Sequence, residues 1–160
     1  MSAEQNKALA RRLVEEVFNQ GNMNVIDELV SPDFVEHEQL PPEMPPGREA
    51  TKLMFTMLRS AFPDFKATIE HLIAEGDKAV LSMTWTGTQK GEFMGVPPTG
   101  KSISIGVIDI IRLAEGKFVE HWGIMDSMAL MQQLGAMPAP GASGSSTLGR
   151  SRVQSTSNAA

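Results

Sequence analysis

Residues 101–125, KSISIGVIDIIRLAEGKFVEHWGIM, decide the fold. Apolar residues alternate from Ile103 through Ile105 and Val107 to Ile111 and Leu113, the period of a strand with one buried face. A second run, Lys117 to Met125, follows after only Ala114-Glu115-Gly116, so the two strands are antiparallel neighbours. Two turn geometries are open. A two-residue turn puts Glu115 at positive φ, which non-glycine residues adopt reluctantly; a type I turn with Gly116 in the left-handed bulge position avoids this and is preferred. The preferred register pairs Leu113 with Lys117 and therefore Asp109 with His121, an acid and an imidazole across two strands on one face, with Trp122 and Ile124 on the other. The two-residue turn pairs Asp109 with Trp122 instead, and one bulge elsewhere reverses the faces again.

Upstream of this hairpin, Phe65 to Ala74 and Lys78 to Thr88 read as two more strands separated by Glu75-Gly76-Asp77, and a Gly/Pro loop leads on to Lys101. Short connections make the four strands an antiparallel meander. Before Pro63 the apolar period is near four. Leu9, Ala10, Leu13, Val14, Val17 and Phe18 mark a helix from Glu4 to Asn19, ended by Gly21. A short helix follows Asn24 and stops at Ser31-Pro32, and Phe34 to Glu38 reads as a short strand. Gln39 to Pro46 holds four prolines, so it is a loop or lid. A third helix runs from Arg48 to about Ala61 with Leu53, Met54, Met57, Leu58 and Ala61 as its buried side. Helices followed by sheet form the α+β pattern, in which a curved antiparallel sheet wraps around the N-terminal helices and leaves a cone open at one end. A last helix, Ser127 to Leu134, closes on Gly135. One domain is expected over 1–135. The segment 136–160 offers only Met137, Leu148 and Val153 as sizeable apolar residues, and a disordered tail is expected there.

The chain of 160 residues is 41% hydrophobic, enough for one core. A net charge of −5 with scattered basic residues argues against nucleic acid as partner. The absence of cysteine removes disulfides, thiolate metal sites and cysteine nucleophiles. Charges interrupt the apolar positions of the first 18 residues, unlike a secretory signal, and no run suits a membrane span, so the expected location is the cytoplasm. His37, His71 and His121 show no tight ligand spacing, and no metal is expected. The Phe93 to Lys101 stretch lacks P-loop spacing and is read as a loop between strands. Asp109 interrupts an apolar face, so it is either a buried carboxylate with a raised pKa or one neutralised by a neighbour. Asp126 follows the last strand, where it could reach the mouth of a cone; before Ser127-Met128-Ala129-Leu130 it is also a good helix N-cap. His37 has a solvated strand position as its plain reading.

Taken together, residues 91–101 (GEFMGVPPTGK), Asp109-Ile110-Ile111-Arg112, and residues 116–126 (GKFVEHWGIMD) closing on Gln133-Leu134-Gly135 resemble the SnoaL-like polyketide cyclase and ester cyclase family. With Asn19-Gln20-Gly21-Asn22 and Phe34-Val35-Glu36-His37, the resemblance covers about residues 6–135. It implies the NTF2-like cone, a hydrophobic cavity and a homodimer formed through the sheet. It also implies an aspartate at the end of the last long strand acting as acid and base in an intramolecular aldol ring closure without metal or organic cofactor. The matching residue is Asp126, with His121 and His37 as supporting catalytic candidates. Trp85, Trp122, Asp109, Phe34 and Met54 are the expected contacts to a small apolar or aromatic molecule. Two other functions compete: a non-catalytic protein that binds an apolar metabolite, and an epoxide hydrolase. The latter would use Asp109, Arg112 and Asp126, but Asp109 and Arg112 should lie on opposite strand faces.

Overall fold

The computed structural model describes residues 1–139 and 141; of the tail expectation for 136–160, all but the first few residues lie outside the described residues. Helix α1, Ala3–Leu13, starts at a capping box: Ser2 Oγ accepts the Gln5 N–H at 3.2 Å, and the Gln5 side chain accepts the Ser2 N–H at 2.7 Å. It continues without a break as a π-helix, Val14–Asn19, closed by a bond from the Gln20 N–H to the Glu15 carbonyl. Arg59 satisfies the carbonyl of Phe18 at 2.8 Å, and the Asn19 side chain pairs with both backbone groups of Ala67, so the helix end is tied to the sheet. Helix α2, Asn24–Leu29, leads into strand β1, Val30–Glu36.

Helix α3, Arg48–Ala61, begins at Gly47, whose φ of 65° and contact with the Pro32 carbonyl leave no place for a side chain. Its inner stripe is Thr51, Met54, Phe55 and Leu58, at three- and four-residue steps. Leu53 and Met57, expected on the buried side, are 40% and 53% exposed because they stand one row off that stripe.

The sheet comprises β1 with β2 (Lys66–Glu75), β3 (Lys78–Thr88), β4 (Ser102–Ala114) and β5 (Lys117–Met125), in the order β1-β5-β4-β3-β2. Strands β2 to β5 form the expected antiparallel meander. Strand β1 departs from it, since it lies parallel to β5 at the sheet edge. Its partner comes only after α3 and three intervening strands, and such a long connection permits parallel pairing. Pro32 is tolerated there because an edge strand need not donate on both sides. The curved sheet is not closed; the core between it and the helices includes Phe18, Phe55, Phe62, Phe65, Ile105 and Phe118. Helix α4, Ser127–Gln133, is fastened to β4 by a two-way bond between the Gln133 side chain and the backbone of Ser104. Among the described residues no helix is long and apolar enough to cross a membrane.

The β4–β5 hairpin corrects the preferred register. Ala114 pairs with Lys117 across a two-residue turn, with Glu115 at φ 52° and Gly116 at φ 78°. The inherited twist of the two strands favours such a turn strongly enough to hold a glutamate in the left-handed region. A register shift then falls between Arg112 and Leu113: Leu113 pairs with Phe118 but Arg112 with Glu120, leaving Val119 as the extra residue. Asp109 therefore stands opposite Gly123, not His121 or Trp122.

Candidate functional site

A cavity of about 130 Å³ opens between the sheet and the helices. Most of its wall is apolar, including Phe18, Phe34, Met54, Met83, Trp85 and Phe93. At one end its lining changes to Glu36, Glu38, Asp109 and His121. Three adjacent strands deliver this cluster. Glu36 near the end of β1 is the register partner of His121 on β5, and Asp109 on β4 lies two residues along from Ile111, which faces His121 directly. Both neighbours thus share the inner face with the ring.

His121 Nδ1 lies 2.8 and 2.9 Å from the two Glu36 oxygens, and Nε2 lies 3.3 Å from Asp109 Oδ1. Burial disfavours charge on the ring, but the hydrogen-bonded Asp109 and Glu36 carboxylates outweigh it and push His121 up to about 10. At neutral pH it is an imidazolium, so it is not a base. Glu38 differs from the other carboxylates: burial pushes its pKa up, the charge of His121 opposes this, and the charges of Glu36 and Asp109 add to the rise. Its side chain accepts no hydrogen bond from a protein donor among the described residues, while its carboxylate lies within 4.8 Å of the facing atoms of Asp109 and His121.

Gly123 completes the geometry by lacking a side chain. A Cβ there would collide with Glu38 Oε1 and stand 2.8 Å from His121 Cε1 and 2.9 Å from Asp109 Oδ1. Glu38 therefore occupies the space that a side chain at 123 would take.

Of the residues singled out on the sequence, Asp109, His121, Trp85, Phe34 and Met54 line the cavity. Asp109 is only 7% exposed, in contact with the ring it was expected to meet, through a different register. Asp126, His37 and Trp122 do not line it. The Asp126 side chain is exposed and accepts the Ala129 N–H at 2.9 Å as the N-cap of α4, the plainer of its two readings. His37 stacks on Trp122 outside the cavity, ring centres 4.6 Å apart, with Nε2 2.8 Å from Glu120 Oε1. Arg112 also points outward, 2.6 Å from Glu120 Oε2, so the epoxide hydrolase constellation is not assembled. Glu36 and Glu38 were not singled out.

The Glu38, Asp109 and His121 atoms could in principle surround a cation. Both ring nitrogens, however, already face carboxylates, and a metal ligand needs a deprotonated imidazole nitrogen. The arrangement is therefore suited to proton transfer and charge stabilisation at the end of an apolar chamber.

Known proteins share this architecture. The family model of the SnoaL-like polyketide cyclases matches residues 8–134. Aklanonic acid methyl ester cyclase DauD of Streptomyces sp. strain C5 is 31% identical over 134 residues, covering 79% of this chain and 80% of its own. Nogalonic acid methyl ester cyclase of Streptomyces nogalater is 26% identical over 120 residues, covering 74% and 89%. The solved structure of TsrD from Streptomyces laurentii superposes with a TM-score of 0.79 at 31% identity, covering 86% of this chain and 99% of that one. With nearly the whole described domain matched in sequence and in backbone, the chain belongs to the SnoaL-like polyketide cyclase family.

Proposed function

We propose that this protein is a cyclase that closes a ring by intramolecular aldol addition within a polyketide-like ester, using acid–base chemistry of its own side chains. The observation that carries the reading is the carboxylate of Glu38, without a donor among the described residues, set at the polar end of an apolar cavity beside an imidazolium. Glu38 takes a proton from an acidic C–H flanked by carbonyl groups. The resulting enolate carbon attacks a second carbonyl of the same molecule, forming one C–C bond and leaving an alkoxide. The protonated Glu38 returns its proton to that oxygen. Product and substrate are isomers, so the reaction needs no oxidant, reductant or carrier group.

The pocket supports each step physically. Its raised pKa makes Glu38 a stronger base than an ordinary carboxylate and a competent acid afterwards. His121 supplies positive charge, and its longer contact, to Asp109 at 3.3 Å, leaves that N–H the one a substrate oxygen can share. Trp85, Phe34 and Met54 hold an aromatic skeleton and keep water away. Among the described residues no Lys or Arg lines the cavity, which favours an ester over a free carboxylate at the acidic end. The second copy expected of a homodimer has a suitable surface in Ile108, Ile110 and Ile124 on the outer sheet face, the last 77% exposed. Light scattering that gives a monomer at micromolar concentration would remove the dimer.

The direct test incubates the purified protein with aklanonic acid methyl ester and with nogalonic acid methyl ester, the compounds in the relatives' names. Chromatography with mass detection should reveal a new peak of unchanged mass. Tight binding of these esters without any isomeric product would put the non-catalytic reading in front.

A further inference from the structure

Glu36 is the one carboxylate of the cluster that contacts both the His121 ring and the backbone of Glu38. Its two oxygens face His121 Nδ1 at 2.9 and 2.8 Å, and its Oε1 also accepts the backbone N–H of Glu38 at 2.9 Å. Strand β1 ends at this residue. Beyond it the main chain keeps one more tie to β5, from the His37 N–H to the His121 carbonyl at 3.0 Å, and then enters the proline-rich loop. The direction in which Glu38 leaves the sheet is therefore set by two anchors: the stack of His37 on Trp122 outside, and the Glu36 carboxylate inside.

We propose that Glu36 is the positioning residue of this site, a single carboxylate that fixes the ring of His121 and the backbone from which Glu38 enters the cavity. The inference rests on the acid–base reading given above for Glu38. Glu36 itself need not touch substrate, because both of its oxygens are engaged by the protein. Its effect passes through two other groups. Without it, the Glu38 N–H loses its acceptor and the ring loses the shorter of its two contacts.

Among the described residues the charged groups that face the ring are few. Glu36 comes from β1, Glu38 from the chain that follows it, and Asp109 from β4. Glu120, one residue from His121 on β5, points to the other face, where it pairs with His37 and Arg112. Helix α3 brings Thr51 and Met54 to the cavity, neither of which titrates. Removing the charge of Glu36 should therefore lower the proton affinity of His121, leaving Asp109 as the carboxylate bonded to the ring. Glu36→Gln is nearly the same shape and keeps an oxygen for the Glu38 N–H; Glu36→Asp keeps the charge but shortens the reach.

Ring nitrogen NMR on protein labelled at histidine, assigned with His121→Gln, reads the first consequence between pH 5 and 9. Wild type should hold His121 doubly protonated throughout, and Glu36→Gln should bring its titration into that range. Kinetics on the ester substrate read the second: Glu36→Asp should lower kcat by about 10²-fold with KM little changed, as expected when catalytic groups move by about 1 Å. An unchanged His121 titration in Glu36→Gln, or an unchanged kcat in Glu36→Asp, overturns the proposal. The NMR arm needs no turnover. A shifted titration in a protein that closes no ring supports Glu36 as the anchor of His121 and removes only the cyclase reading.

Discussion

Gly123 is the residue whose substitution separates the site from the fold. Its backbone is ordinary strand, so alanine brings no φ penalty, and the atom that an added methyl group meets first is the far end of the Glu38 side chain. The flexible Glu38 carboxylate can swing aside, but the His121 ring and Asp109 Oδ1, at 2.8 and 2.9 Å, must also give. Gly123→Ala should therefore still fold to a cooperative thermal transition while ring closure falls about 10²-fold, the scale of a misplaced acid–base group. A fully active variant would show that Glu38 has no need of its present position. Asp126 gives the opposite pattern, because its side chain caps α4 and does not reach the cavity. Asp126→Asn should preserve both stability and turnover, and Asp126→Ala should cost about 1 kcal/mol of stability with turnover retained. Loss of turnover in the asparagine variant would restore the role that resemblance assigns to Asp126. The sequence held the signal for the missed carboxylates. Phe34 is a core residue of a strand, and a period of two puts Glu36 and Glu38 on its face and His37 on the other. His37, the rarer residue type, stands on the other side of that strand, stacked on Trp122.

At the scale of elements, the reading from residues recovered every helix and strand to within a few positions, because each amphipathic period is long and bounded by Gly or Pro. What it could not supply was pairing. The parallel contact of β1 with β5, which brings Glu36 to His121, joins segments about 85 residues apart, and no local pattern encodes it. In the β4–β5 hairpin the choice turned on a small energy. A glutamate at φ 52° costs roughly 1–2 kcal/mol relative to a relaxed conformation, which a hairpin of two long, well-buried strands can offset. The register shift beyond Arg112 then returned Asp109 and His121 to a common face. The turn itself yields a prediction. Glu115→Asn makes an Asn-Gly turn, whose first residue tolerates the left-handed region, and should stabilise the protein by about 0.5–1 kcal/mol in chemical denaturation. A destabilised Glu115→Asn would mean that the glutamate contributes something beyond the turn conformation.

For the whole molecule, the buried cluster ties stability to pH with a definite sign. His121 has an ordinary value of 6.5 in an unfolded chain and about 10 in the folded one, because the paired carboxylates outweigh the cost of burying its charge. Below pH 6.5 the ring is charged in both states and its favourable interactions are fully present. Between 6.5 and 10 the unfolded chain gives up the proton while the folded protein keeps it, so each step upward in pH favours unfolding. Glu38, also raised, acts in the same direction at lower pH, since it ionises more readily once unfolded. The depressed carboxylates Glu4, Asp27, Glu28, Asp64 and Glu120 act oppositely, losing their stabilisation as pH falls, but all except the partly covered Glu120 sit at the surface, where screening makes such interactions weak. The melting temperature should therefore decline from pH 6.5 to pH 10. His121→Gln, which cannot carry the charge, should start lower and show a flatter profile over the same range. If wild type and His121→Gln lost stability in parallel between those limits, the imidazolium would not be the cation that holds three carboxylates together at the end of the cavity.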